Sequence, residues 1–234
     1  MPTLMEGSTL GQVAEILHAA TLLGPAAWGR EPMPEAHMAA DIEDKLKSQL
    51  IQLFALLHDR NVPYVLVGGI AMLTYVEGRN TKDVDLVMSV ESLAAIPEIV
   101  IHDQNRDFAR GKFGDLLVDF LFTVNPLFKM VEDQFTTMHR FLERDIRCAT
   151  IEGLILLKLF ALPSLYRQGR GPRIGLYEND IFMLCDIGRP KFEPLFKILK
   201  RFVDAPALGE LRNIVGDIQK RIERADRMKG TSES

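Results

Sequence analysis

Apolar residues at Ile42, Leu46, Leu50, Leu53, Phe54 and Leu57 recur at helical spacing, which predicts a helix capped by Asp41 that runs to about His58. After Asn61-Val62-Pro63 the pattern changes. Residues 64–67 (Tyr-Val-Leu-Val) read as a short buried strand that ends at Gly68-Gly69, and 70–76 continue as a helix. A loop over 77–80 leads to an alternating strand over 84–88 and a short helix over 89–96. Strands follow at 98–101, 108–113 and 116–122, with Gly111 and Gly114 at the turns. Beyond Asn125-Pro126 the chain reads as mostly helical, apart from a strand at 146–149. Thr150 can cap an apolar helix over 151–162, a Gly/Arg loop (RQGRGPRIG) follows, and a further helix begins near Tyr177. The last 40 residues carry a helix around 195–202 and a longer one with the stripe Leu208, Leu211, Ile214, Val215, Ile218 and Ile222. A separate helix is expected over 10–23, before a Gly- and Pro-rich segment.

These elements divide the chain into an N-terminal extension (1–38), a sheet-bearing domain (39–135), a mainly helical domain (136–229) and a disordered tail (230–234). The expected class is α/β (α+β): a small mixed sheet flanked by helices, with a helical C-terminal region. No apolar run reaches the roughly 18–20 residues of a membrane span. The start, MPTLMEGSTL, lacks the basic and apolar regions of a secretory signal. Cys148 and Cys185 are too few for a disulfide framework. Together these features favour a reducing, cytoplasmic address and no membrane partner.

The net charge of −4 argues against a protein that coats nucleic acid non-specifically, but the charge is unevenly spread. Residues 1–138 hold 10 Lys and Arg against 19 Asp and Glu, whereas residues 139–234 hold 18 against 13. An acidic front half with a basic back half suits a metal–carboxylate site beside a surface that receives phosphates; segregation on solvated helix faces would look the same.

The chemistry-bearing stretch is Val67-Gly68-Gly69, thirteen residues, then Asp83-Val84-Asp85-Leu86. The glycines sit where a strand turns into a helix, so backbone N–H groups can face an anion and no Cβ blocks its approach. No third glycine and no Gly-Lys-Ser/Thr follows, which excludes a Rossmann fingerprint and a P-loop. Asp83 and Asp85, two apart in a strand, project from one face about 6.6–7 Å apart at Cα. Such carboxylates repel unless a cation or proton lies between them. A third, Asp119, sits in the apolar run Leu116-Leu117-Val118-Asp119-Phe120-Leu121-Phe122, where a charge is otherwise out of place. Two divalent ions could be held by the three. Lys158 has apolar neighbours on every side of its helix, so it must reach the surface or meet an anion.

With Arg79-Asn80-Thr81-Lys82 ahead of the Asp-x-Asp, these residues resemble the signature of the DNA polymerase beta-type nucleotidyltransferase superfamily. The Arg-x-Thr-x-Asp-x-Asp form is similar to the minimal nucleotidyltransferases of toxin–antitoxin systems, the AbiEii/MenT-like proteins. So is the helix Leu154-Ile155-Leu156-Leu157-Lys158-Leu159-Phe160-Ala161. A later Arg followed by Lys-Asp in that family has possible counterparts in Arg167 or Arg170 and in Asn179-Asp180-Ile181, where Asn replaces Lys. The resemblance covers about 60–190 and implies that 39–135 is the catalytic domain of a nucleotidyltransferase fold. It implies that Asp83, Asp85 and Asp119 bind two Mg²⁺ and that Asp119 helps activate the acceptor hydroxyl. It further implies that Gly68 and Gly69 leave room for phosphates, and that Thr81, Arg79, Lys82 and Lys158 contact the triphosphate. Asp180 would partner Lys158 or the base. The implied activity moves a nucleoside monophosphate from an NTP to an acceptor, with a tRNA 3′ end first and a cognate antitoxin as partner. A small-molecule or protein acceptor, or a catalytically silent nucleotide-binding regulatory module, is the alternative.

Overall fold

A computed structural model of the chain describes residues 35–77, 81, 83–141 and 144–230. The helix expected over 10–23, Arg79, Lys82 and the tail from 231 lie outside the described residues. The described residues fall into two compact units that divide between Ala149 and Thr150.

In the first unit, α1 (Glu35–Asp59) precedes β1 (Val65–Val67), α2 (Gly68–Met72), β2 (Asp83–Met88) and α3 (Val90–Ala94). There follow β3 (Val100–Gln104), β4 (Phe108–Phe113), β5 (Leu116–Phe122), α4 (Pro126–Gln134), β6 (Thr136–Phe141) and β7 (Arg144–Ala149). The strands form one seven-stranded mixed sheet in the order β3-β4-β5-β2-β1-β7-β6. The β1–β7 and β2–β5 pairs are parallel and the others antiparallel. The mixed α/β architecture expected from the sequence is the one observed.

Strand alternation sets which face is core. Along β5, Leu116, Val118, Phe120 and Phe122 are buried, while Leu117, Asp119 and Leu121 are not. On β2, Val84 and Leu86 are fully buried and Asp83 and Asp85 partly exposed. The stripe Leu50, Leu53, Phe54 and Leu57 of α1 is buried, with Phe54 stacked on Tyr64 and edge-on to Phe141. Ends are defined locally: Asn125 caps α4 through Leu127 N (3.0 Å) with Pro126 in the first turn, and Ser89 caps α3 through Ser92 N (3.0 Å).

The first unit runs past the boundary expected at 135. β7 pairs with β1 through Leu66 and Cys148, which ties the β6–β7 hairpin into the sheet. β6 was not expected: only its last residue, Phe141, is buried, so this edge strand lacks the apolar alternation that marks a half-buried one. Near the Gly-Gly pair, the expected strand shortens to Val65–Val67 and the helix begins at Gly68 and ends at Met72.

The second unit holds α5 (Ile151–Arg167), α6 (Gly171–Gly188), α7 (Phe192–Leu199) and α8 (Ala205–Gly230). Thr150 caps α5 through Gly153 N at 3.2 Å, as its position suggests. α5 continues through Pro163 to Arg167, beyond the expected end at 162. α6 begins at Gly171, not near Tyr177, because Pro172 fits a first helical turn. Arg173 is therefore helical and does not belong to a loop. Both cysteines are free and buried, and burial pushes their thiols up to about 12. Among the described residues no helix is long and apolar enough to cross a membrane.

Candidate active site

The sheet register assembles a row of residues across five adjacent strands. On one side of Asp85 its antiparallel partner is Val67, the residue before Gly68; on the other side its parallel partner is Asp119. Asp119 in turn faces Arg110 on β4, and Arg110 faces Asp103 on β3. Directly paired residues share a sheet face and neighbouring strands lie about 4.8 Å apart. Asp83, two residues from Asp85, belongs to the same face. The three carboxylates singled out in the sequence are thus brought to one face of two adjacent strands, next to the glycine turn.

Gly68 closes one end of this row. Its φ of +66° lies in the left-handed region, and a Cβ built there would fall 1.8 Å from Asp85 Oδ2 and 2.4 Å from its Cγ. The glycine is therefore required twice, by the backbone turn and by the carboxylate packed against it. The helix it opens has only five residues, Gly68–Met72. Gly69 is buried within the same turn of helix.

Each end carboxylate has a side-chain partner. The buried Thr81 hydroxyl donates to Asp83 Oδ1 at 2.9 Å, so in this state it orients a carboxylate. Asp119 is held by a two-pronged bond from Arg110: Nε to Oδ1 at 2.7 Å and the terminal NH2 group to Oδ2 at 2.8 Å. Bonding to Asp119, then its charge, with smaller contributions from Asp83 and Asp103, raises the guanidinium further above its already high range. Arg110 is the residue that sequence reasoning missed. Its signal lies in the two-residue turn Gly114-Asp115 between Phe113 and Leu116, which fixes the hairpin register and with it the Arg110–Asp119 pair.

The donor set suits a hard divalent cation, since all three groups are carboxylates. Asp83 and Asp85 have the spacing and face that such an ion needs, and the Gly68 cradle leaves the Asp85 carboxylate room that any larger residue would take. The third ligand is engaged by Arg110, and among the described residues no three His, Cys, Asp or Glu side chains form a ready-made metal cluster. The residues fit the ion, on condition that Arg110 releases Asp119.

In the second unit, Lys158 is 6% exposed and meets an anion inside the protein. Its Nζ lies 2.6 Å from Oδ2 of the fully buried Asp180 and 4.6 Å from the centre of the Tyr177 ring. The Asp180 partnership expected for this lysine is present. Asn179, in the place where the resemblance leads one to expect Lys, is directed to Met183 Sδ (3.8 Å).

No protein-family model matches the chain. No curated protein matches it in sequence either. Solved structures similar to it include an antigenic nucleotidyltransferase-like protein from Paracoccidioides brasiliensis, at 18% identity and a TM-score of 0.49, covering 80% of this chain and 93% of that one. ANT(2'')-Ia in complex with adenylyl-2''-tobramycin is similar at 13% identity and a TM-score of 0.47, covering 76% and 98%. The solution structure of the antibiotic-resistance factor ANT(2'')-Ia gives 15% and 0.43, covering 79% and 98%.

Proposed function

We propose that the chain is a metal-dependent nucleotidyltransferase. The observation that carries this reading is the single row in which Val67, Asp85 and Asp119 are in register, with Gly68 packed against the Asp85 carboxylate and Asp83 on the same face. Asp83 and Asp85 would hold divalent ions, magnesium by preference, with Asp119 as a third ligand. When bound, the ions neutralise triphosphate charge and favour ionisation of the attacking hydroxyl. Gly68 lets the backbone stay close beneath the phosphates, and Thr81 keeps Asp83 turned toward its task. Asp119, once released by Arg110, would take the acceptor's proton as the acceptor oxygen bonds to the α-phosphorus and the bond to pyrophosphate breaks. Lys158 with Asp180, and Arg79 and Lys82, enter as triphosphate contacts on the strength of the sequence resemblance.

The basic character of residues 139–234 supports a nucleic-acid acceptor, with a tRNA 3′ end first, and the Arg-x-Thr-x-Asp-x-Asp form supports a toxin-like role with an antitoxin partner. A small hydroxyl compound or a protein side chain is the competing acceptor. A second reading, a silent nucleotide-binding regulatory module, is favoured by one observation: Arg110 already holds the third carboxylate. A screen of the four α-labelled NTPs with Mg²⁺ against total tRNA, aminoglycosides and the protein itself separates these. Transfer by the wild type and at least a hundredfold less by Asp85→Asn is the expected result. If both proteins bind NTP and neither labels any acceptor, the silent module is correct.

A further inference from the structure

The Arg110–Asp119 pair is unequal in a way that suggests which partner moves. The Asp119 side chain is 18% exposed and fixed in the interior of the sheet, between β2 and β4; the Arg110 side chain is 51% exposed on a long flexible stem. Both carboxylate oxygens of Asp119 are taken by the guanidinium, which leaves a divalent ion no simple approach while the bond persists. On its other flank Arg110 is in register with Asp103, an exposed acid on β3. The guanidinium therefore has a second anionic neighbour toward which it can swing without leaving its charge unpaired. Three carboxylates on adjacent strands, moreover, are a concentration of like charge that some cation must offset. Arg110 is a cation bonded directly to one of that group, Asp119.

We propose that Arg110 is a built-in stand-in for the divalent cation at Asp119: it clasps this carboxylate in the absence of metal and yields it when metal and triphosphate arrive together. The inference rests on the nucleotidyltransferase reading of the carboxylates and adds a positioning residue to it. By competing for a ligand, Arg110 weakens binding of bare metal and keeps Asp119 aimed along the row until substrate comes. The incoming triphosphate then offers the displaced guanidinium new anionic oxygens, so metal and nucleotide bind cooperatively.

The test is Mn²⁺ binding to the full chain without nucleotide, followed by the electron paramagnetic resonance signal of the free ion. Wild type, Arg110→Met, Arg110→Lys and Asp85→Asn are compared, each shown by thermal melting to be folded. Arg110→Met is expected to bind Mn²⁺ about tenfold more tightly than wild type, the exchange of a partly exposed two-pronged ion pair for none. Arg110→Lys, which keeps the charge but cannot fork onto both oxygens, should fall between them and covers the case in which the methionine variant does not fold. Equal or weaker binding by the Arg110 variants, with wild-type binding still lost in Asp85→Asn, overturns the stand-in role and leaves the metal site standing. Binding that is absent from wild type and both Arg110 variants alike, or unchanged in Asp85→Asn, overturns the metal reading itself and the stand-in role with it.

Discussion

Gly68→Ala is expected to destabilise the first unit by roughly 2–5 kcal/mol and to abolish nucleotide binding. Two separate costs meet at this position. An alanine held at φ +66° sits in the left-handed region, at a cost of about 1–2 kcal/mol. Its methyl group would also lie 1.8 Å from Asp85 Oδ2, so the carboxylate or the backbone has to shift. Overpacking of this kind costs about 1–3 kcal/mol. Gly169→Ala supplies the control: that glycine also has a positive φ, +63°, but nothing lies within 4 Å of a Cβ built there. Urea unfolding should show Gly169→Ala losing the conformational cost alone and Gly68→Ala losing both. Equal losses would mean that Asp85 is not pressed against the turn.

The buried pair in the second unit gives the other large effect. Lys158→Met leaves the fully buried Asp180 carboxylate without its ammonium, and Asp180→Leu does the converse. Removing one member of a buried ion pair typically costs about 3–5 kcal/mol, whereas replacing both with apolar residues of similar size is often nearly neutral. The single variants should therefore melt much earlier than wild type, and Lys158→Met/Asp180→Leu should recover most of the loss. Nucleotide affinity then separates structure from function. If the pair serves the triphosphate, the stable double variant still binds NTP poorly; if it serves only packing, affinity returns with stability.

What could be read from the sequence followed periodicity. The two-residue spacing put Asp83 and Asp85 on one face, and Asp119 stood out as a charge within an apolar run; the structure then places it on the face opposite the buried Val118 and Phe120. That β2 and β5 are neighbours, and that Asp85 is level with Asp119, depends on sheet order, to which a local pattern is blind. Arg110 escaped for a different reason. A lone arginine in an exposed strand looks like ordinary surface until the hairpin register aligns it with an acid two strands from Gly68. β6 escaped because an edge strand with one buried residue has no hydrophobic pattern to detect. The start of α6 escaped because glycine and proline, read as loop punctuation, are equally at home in a first helical turn. Lys158, by contrast, announced itself. A cation surrounded by apolar residues needs an anion, and Asp180 is one, 22 positions later.

A crystal structure of the chain with Mg²⁺ and a non-hydrolysable nucleoside triphosphate puts the whole account at risk in one measurement. Carboxylate oxygens of Asp83 and Asp85 should each lie within about 2.1 Å of a metal ion that also touches the triphosphate, with the phosphates over Gly68. A triphosphate seated elsewhere, or bound with these two side chains uninvolved, would contradict it.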